Sequence, residues 1–150
     1  MDISQAVRTA VFQALSPIVV DNKVIPVFDG MVNPLVSLPV IRGGTCYILL
    51  QDQQEVEAPN QTMCGERILA NQTVKVVVKF NTANVTDRSL CDQISSLVKT
   101  SIRPNRDHTL SSNEINIQKV GFPISRNTEE FGATSTALSK VLIYSITVNN

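Results

Sequence analysis

No tryptophan occurs in the 150 residues, and aromatic side chains make up only 5% of them. Proteins that hold single-stranded nucleic acid use such rings as stacking platforms, so this class is poorly supplied. Charge is also scarce: 17% of residues are Asp, Glu, Lys or Arg, and the formal net charge is zero. A chain whose main work is gripping phosphates carries a basic excess, because neutralising them supplies most of the affinity. None is visible overall. A local patch can be drawn around Arg103 and Arg106, but Asp107 dilutes it.

Histidine occurs once, as His108, in the polar stretch RPNRDHTLSSN. Its neighbour Asp107 is badly placed to orient it, since adjacent residues rarely act as base and orienter, and His108 reads as a surface residue. The three cysteines, Cys46, Cys64 and Cys91, form neither a CxxC nor a Cys/His metal pattern. Cys46 and Cys91 lie in apolar periodic segments and read as buried thiols. No run approaches the roughly 18 to 20 apolar residues that span a membrane. The first residues, MDISQAVRTA, lack the charged and apolar regions of a secretory signal. The expectation is a soluble chain made in a reducing compartment, in which the sequons at Asn60, Asn71 and Asn84 carry no sugar.

Arg42-Gly43-Gly44 lacks the frame of a phosphate-binding loop and precedes a strand rather than a helix, so it reads as a turn. Glu55 and Glu57 alternate along an extended stretch and share a side. Two carboxylates alone hold a divalent ion only weakly, and a solvated face is the plainer reading. No catalytic, cofactor-binding or metal residue can therefore be nominated, and the expectation is a non-enzyme that needs no cofactor.

Apolar residues make up 43% of the chain. Asn, Gln, Ser and Thr supply roughly a third, well above ordinary usage. Such a surface suits packing against protein, because burying an amide or hydroxyl costs less than burying a charge. The length fits one domain, 1–150.

Helical spacing of Ile3, Val7, Ala10, Val11, Ala14 and Leu15 predicts a helix over Ile3–Leu15, capped by Asp2 and stopped by Pro17. Ile18 to Phe28 reads as a β-hairpin turning at Asp21-Asn22, with Pro26 at an edge. Strands are predicted at Thr45–Gln51, Thr73–Phe80, Ile115–Ile124 and Lys140–Val148. Val74, Val76, Val78 and Phe80 share one strand face, with Lys75 and Lys79 on the other. The Ile115–Ile124 strand changes phase, predicting a bulge near Lys119 or a bend at Gly121. A second helix fits Asp87–Ile102, capped by Thr86. Asp52–Asn71 and Asn127–Ala137 read as long polar loops, the latter holding the lone aromatic Phe131. The fold class is α+β: a single mainly antiparallel sheet, an N-terminal hairpin, two helices on one face and long protruding loops.

The opening helix DISQAVRTAVFQAL, the hairpin ending V-I-P-V-F-D-G, a stretch with Pro34 and Pro39, and the strand TCYILL resemble the tail-terminator (tail-completion) and neck-ring proteins of tailed bacteriophages. Arg8, Val11, Leu15, Pro26, Val27, Phe28, Asp29, Gly30, Pro34 and Pro39 carry the likeness. The later element order fits as well. The resemblance implies a virion structural protein, present in the host cytoplasm during assembly. It implies a homo-oligomeric ring, six-fold in terminators and often twelve-fold in necks, at the head–tail (portal–tail) junction or tail end. Adjacent portal, neck or tail-tube proteins would be its partners, with genomic DNA passing through the lumen unread and no membrane involved.

A ring needs two different surfaces per subunit and no catalytic site. The expected inter-subunit or ring-to-ring contacts are Pro26, Phe28, Asp29, Glu55, Glu57, Arg67, Glu129, Glu130 and Phe131. Phe131 either anchors a partner or folds back on its own domain. The alternative from another class is a soluble α+β module that binds a small ligand or a protein without catalysis, marked by one deep apolar pocket. An enzyme with an inconspicuous site is the second alternative.

Overall fold

The computed structural model describes residues 3–15, 17–57 and 67–149, without the side chains of Asp52, Glu55, Val56 and Glu57. Helix α1 (Ile3–Ala14) buries Ala6, Val7, Ala10 and Val11, the stripe that helical spacing brings onto one face. The expected cap, Asp2, lies outside the described residues. Strands β1 (Ile18–Val20) and β2 (Lys23–Ile25) form the predicted hairpin. Asp21 and Asn22 both adopt positive φ (49° and 63°), as a two-residue turn matched to strand twist requires. After Pro26 the chain leaves this hairpin, and β3 (Val27–Asp29) runs parallel to residues 48–50 in the main sheet. Pro26 donates no hydrogen bond, but its carbonyl accepts one from Ile48 N–H at 3.0 Å.

Strand β4 (Val40–Ile41) turns through Arg42 and Gly43, both at positive φ, into β5 (Gly44–Glu57). Arg42-Gly43 is thus a tight hairpin turn. Strand β6 (Arg67–Phe80), helix α2 (Ser89–Ser101) and strands β7 (Asn116–Val120), β8 (Ile124–Phe131) and β9 (Thr136–Asn149) complete the order. The sheet reads β3-β5-β6-β9-β7, with β4 also on β5 and β8 also on β9. All pairings are antiparallel except β3 with β5. The architecture is α+β, as expected.

Both helices cover one face of the sheet, α1 over β5 and β6 and α2 over β6 and β9. Between them lie Val74, Val76, Val78, Leu142, Tyr144 and Ile146 from the sheet and Val7, Val11, Ile94 and Val98 from the helices. Full burial of each such aliphatic side chain contributes about 1.5–3 kcal/mol. The opposite face has a smaller cluster of Phe28, Tyr47, Leu49 and Val77, partly covered by Val32 and Leu38.

Where described, both stretches expected as long loops are largely strand; residues 58–66 of the first lie outside the described residues. Residues 51–57 and 67–71 extend β5 and β6 into one long hairpin, and residues 127–131, 136 and 137 belong to β8 and β9. Their polarity misled the sequence reading. A strand with its backbone paired and its side chains in water needs no apolar face. The polar arm is also held at its base: Gln53 Nε2 donates to the Ser4 carbonyl at 2.7 Å, and Arg8 donates to Gln53 Oε1 at 2.9 Å.

The expected Ile115–Ile124 strand is two strands, β7 and β8, laid end to end along β9. Its phase change is real: the register slips between Ile117 and Lys119, and Gly121 breaks the run while donating to the Ser145 carbonyl at 2.7 Å. Helix α2 begins later than expected. Thr86 does not cap it; Arg88 occupies the N-cap without a capping side-chain bond. Instead Asp87 Oδ1 accepts the Ser89 N–H at 2.9 Å, which holds the Asp87 carboxyl below its usual range.

Candidate interaction surfaces

Strand β8 lies on the sheet margin, and all eight of its residues are exposed, whichever face they point to. Its inner edge pairs with β9 from Ile124↔Ile143 to Phe131↔Thr136. Its outer edge has no partner strand among the described residues. Beside it, β7 is partly shielded, because Asn105 bridges Val120. An unpaired edge offers a row of backbone donors and acceptors to another chain.

Arg88 fastens β8 to the domain. Its guanidinium donates to the Ser139 carbonyl at 2.7 Å, to Glu129 at 3.1 Å and to Asn127 at 3.3 Å. The start of α2 thus holds the middle of an otherwise exposed strand. Polar composition hid this device from the sequence reading, because these three partners lie 39 to 51 residues away from Arg88.

Phe131 is 52% exposed at the end of β8, half of it open and half of it against its own chain. It lines a shallow cleft of about 490 Å³ with Phe80, Glu130, Gly132 and Ala137. Phe122 and Ile124, at the other end of β8, are also exposed. A second exposed apolar group lies around the N-terminal hairpin: Val19 and Val24 face each other across β1 and β2, and Val40 lies nearby, its carbonyl accepting from Lys23 Nζ.

The other nominated residues are scattered. Phe28 is buried in its own chain, edge-on to Tyr47 with ring centres 6.4 Å apart. Asp29 pairs with Arg8 at 2.8 Å. Glu129 pairs with Arg88, while Glu130 is exposed. The backbones of Glu55 and Glu57 pair with Ala70 and Ile68, and their side chains lie outside the described residues. Arg67 lines a separate cleft of about 680 Å³ with Arg106, His108, Lys119 and Thr147.

His108 Nε2 lies 2.9 Å from the Ile117 carbonyl, which can only accept, so the ring donates and ties its loop to β7. Among the described residues no three His, Cys, Asp or Glu side chains group as metal ligands. Cys46 and Cys91 are buried free thiols, each pushed up to about 11 by burial, while Cys64 lies outside the described residues. No described helix is long and apolar enough to cross a membrane.

No protein-family model matches the sequence, and no curated protein does. The fold, however, is shared. A chain from a structure described as the virion of a native gene transfer agent particle superposes with a TM-score of 0.66, over 99% of this chain and 98% of that one. At 14% identity this is a likeness of fold.

Proposed function

We propose that the chain is a virion structural protein of a phage-like particle: one subunit of an oligomeric ring at the head–tail (portal–tail) junction or tail end, bridging neighbouring rings around the DNA channel. The observation that carries this reading is the fold shared, nearly end to end, with a virion chain. Strand β8 adds a physical reason. An eight-residue edge strand, exposed on both faces and free along one side, is an assembly hazard in a monomer and an assembly device in a ring. Exposed apolar groups at β8, on the margin of the main sheet, and at the separate β1–β2 hairpin supply the two unlike surfaces that a closed head-to-tail ring needs.

The partners in this reading are further copies of the chain and the portal, neck or tail-tube proteins above and below. The work is done by surfaces, without a catalytic step. The test is mass by light scattering across a wide concentration range, with negative-stain imaging of the large species. Closed rings are expected, six-fold for a tail cap or twelve-fold for a neck, and Phe131→Asp shifts them towards monomer. A wild-type chain that stays monomeric at every concentration, with or without portal or tail-tube rings, overturns the reading.

A further inference from the structure

The chain is neutral as a whole, yet its charges are sorted by face. Strand register places Lys75, Lys79 and Arg67 of β6 on the side of the sheet away from the helices, the side of Tyr47, Leu49 and Val77. Arg126 faces Val141, which in turn faces Lys75, so these two cations stand on the same side two strands apart, roughly 10 Å. Lys119 faces Thr147 on that side too, and Arg106 joins Arg67 and Lys119 in one cleft. Of the residues that strand register places, only Glu130, facing Ala137, puts a carboxylate on this face, and Asp107 adjoins Arg106 in sequence. None of the six cations belongs to an ion pair among the described residues, whereas four of the seven elsewhere, Arg8, Arg42, Arg88 and Lys140, do.

We infer that this open face of the sheet is a binding surface for the phosphate backbone of duplex DNA. The cations form a band from Arg67 to Lys79, twelve residues of strand, or roughly 40 Å. That length is about one helical turn of duplex, which carries one charge per ~1.7 Å of axis. A protein partner would need apolar anchors between the charges. Here the apolar residues between them, Val77, Val141, Tyr47 and Leu49, are buried, while register places the exposed Val40 and Ile124 on this face, at strands β4 and β8, and Leu35 is exposed in the segment whose Val32 and Leu38 partly cover it. Cations set singly among short polar side chains give weak, salt-sensitive contact without base reading. Resting on the ring reading, this face lines the channel, where such contact guides a sliding duplex.

The test is fluorescence anisotropy of a labelled 30-base-pair duplex of mixed sequence against the full chain, from 25 to 200 mM salt. About four phosphate contacts predict a log–log salt slope near −3.6, or roughly a hundredfold weakening over a fourfold rise in salt. Lys75→Gln with Arg126→Gln lowers the slope by about 2 units and weakens binding at least tenfold at low salt. The control, Lys99→Gln with Arg103→Gln, removes equal charge from the α2 side and leaves binding within about threefold. Should the double variant not fold, Arg126→Gln alone, on the exposed strand, lowers the slope by about 1. No binding at 25 mM salt, equal loss in the control, or polyglutamate competing as well as unlabelled duplex at matched charge overturns the assignment. Light scattering on the same samples reads assembly separately: rings without duplex binding sink this face alone, and duplex binding without rings sinks the ring alone.

Discussion

Tyr144 and Gln72 face each other across β9 and β6, and both are completely buried. Gln72 Nε2 is doubly satisfied, donating to the carbonyls of Gln51 and Thr73 at 3.1 Å each. Its Oε1 and the Tyr144 hydroxyl have no partner among the described residues. Burial alone pushes the Tyr144 phenol well above its ordinary range. A buried hydroxyl without a partner costs about 1–3 kcal/mol, while the ring that carries it packs as a phenylalanine would. Tyr144→Phe removes that cost and keeps the ring, so the expected result is a gain of about 1 kcal/mol, read as a midpoint rise of roughly 3 °C. Urea denaturation under monomeric conditions gives the free energy, and calorimetry gives the midpoint. A loss of about 1 kcal/mol or more would refute the reasoning, because it would mean that the hydroxyl is bonded. Gln72 Oε1 is then the first suspect, and a cycle with Gln72→Leu would show coupling of about 1 kcal/mol between the two sites.

Gly44 opens β5 where a Cβ would lie 2.6 Å from Val78 Cγ1 and 3.0 Å from Phe80 Cε1. Gly44→Ala therefore costs about 1–3 kcal/mol in urea denaturation, and Val78→Ala in the same chain recovers part of it; an unchanged midpoint refutes the crowding. The Cys46 and Cys91 thiols titrate near 11 when folded against 9.0 ordinarily, chiefly because they are buried. The unfolded chain releases these protons first, so stability is full below pH 9 and falls as pH rises towards 11. The urea midpoint measured from pH 8 to 11 follows this decline, which is shallower in Cys91→Ala; a flat profile would count against buried protonated thiols.

The apolar half of the fold was legible because its signals are local. Stripes at helical spacing gave α1 and α2, β-branched runs gave the hairpin, and alternation about Val74, Val76 and Val78 gave the centre of β6. The parity change between Ile117 and Val120 even disclosed the slip on β9. The polar half was illegible for a physical reason. Residues 51–57 and 124–131 are strand because neighbouring strands satisfy their backbones, and that pairing lies up to about twenty residues away in sequence without requiring an apolar side chain.

The same reason explains which parts of the candidate surfaces escaped. Phe131 stood out as an aromatic in polar sequence and is exposed. Phe28 sat in the motif that carried the family resemblance, and it is core. Motif positions in a hairpin can equally be packing positions, and only the third dimension separates them. The basic face shows the converse. Arg67, Lys75 and Lys79 share one side of β6, but Arg106, Lys119 and Arg126 join them only because β7 and β8 both flank β9. Net charge averages over the whole molecule, so a neutral chain can still present one charged side. On the proposed reading, in which the chain works through its faces, that sorting is the functional signal, and it becomes readable only once the strand order is known.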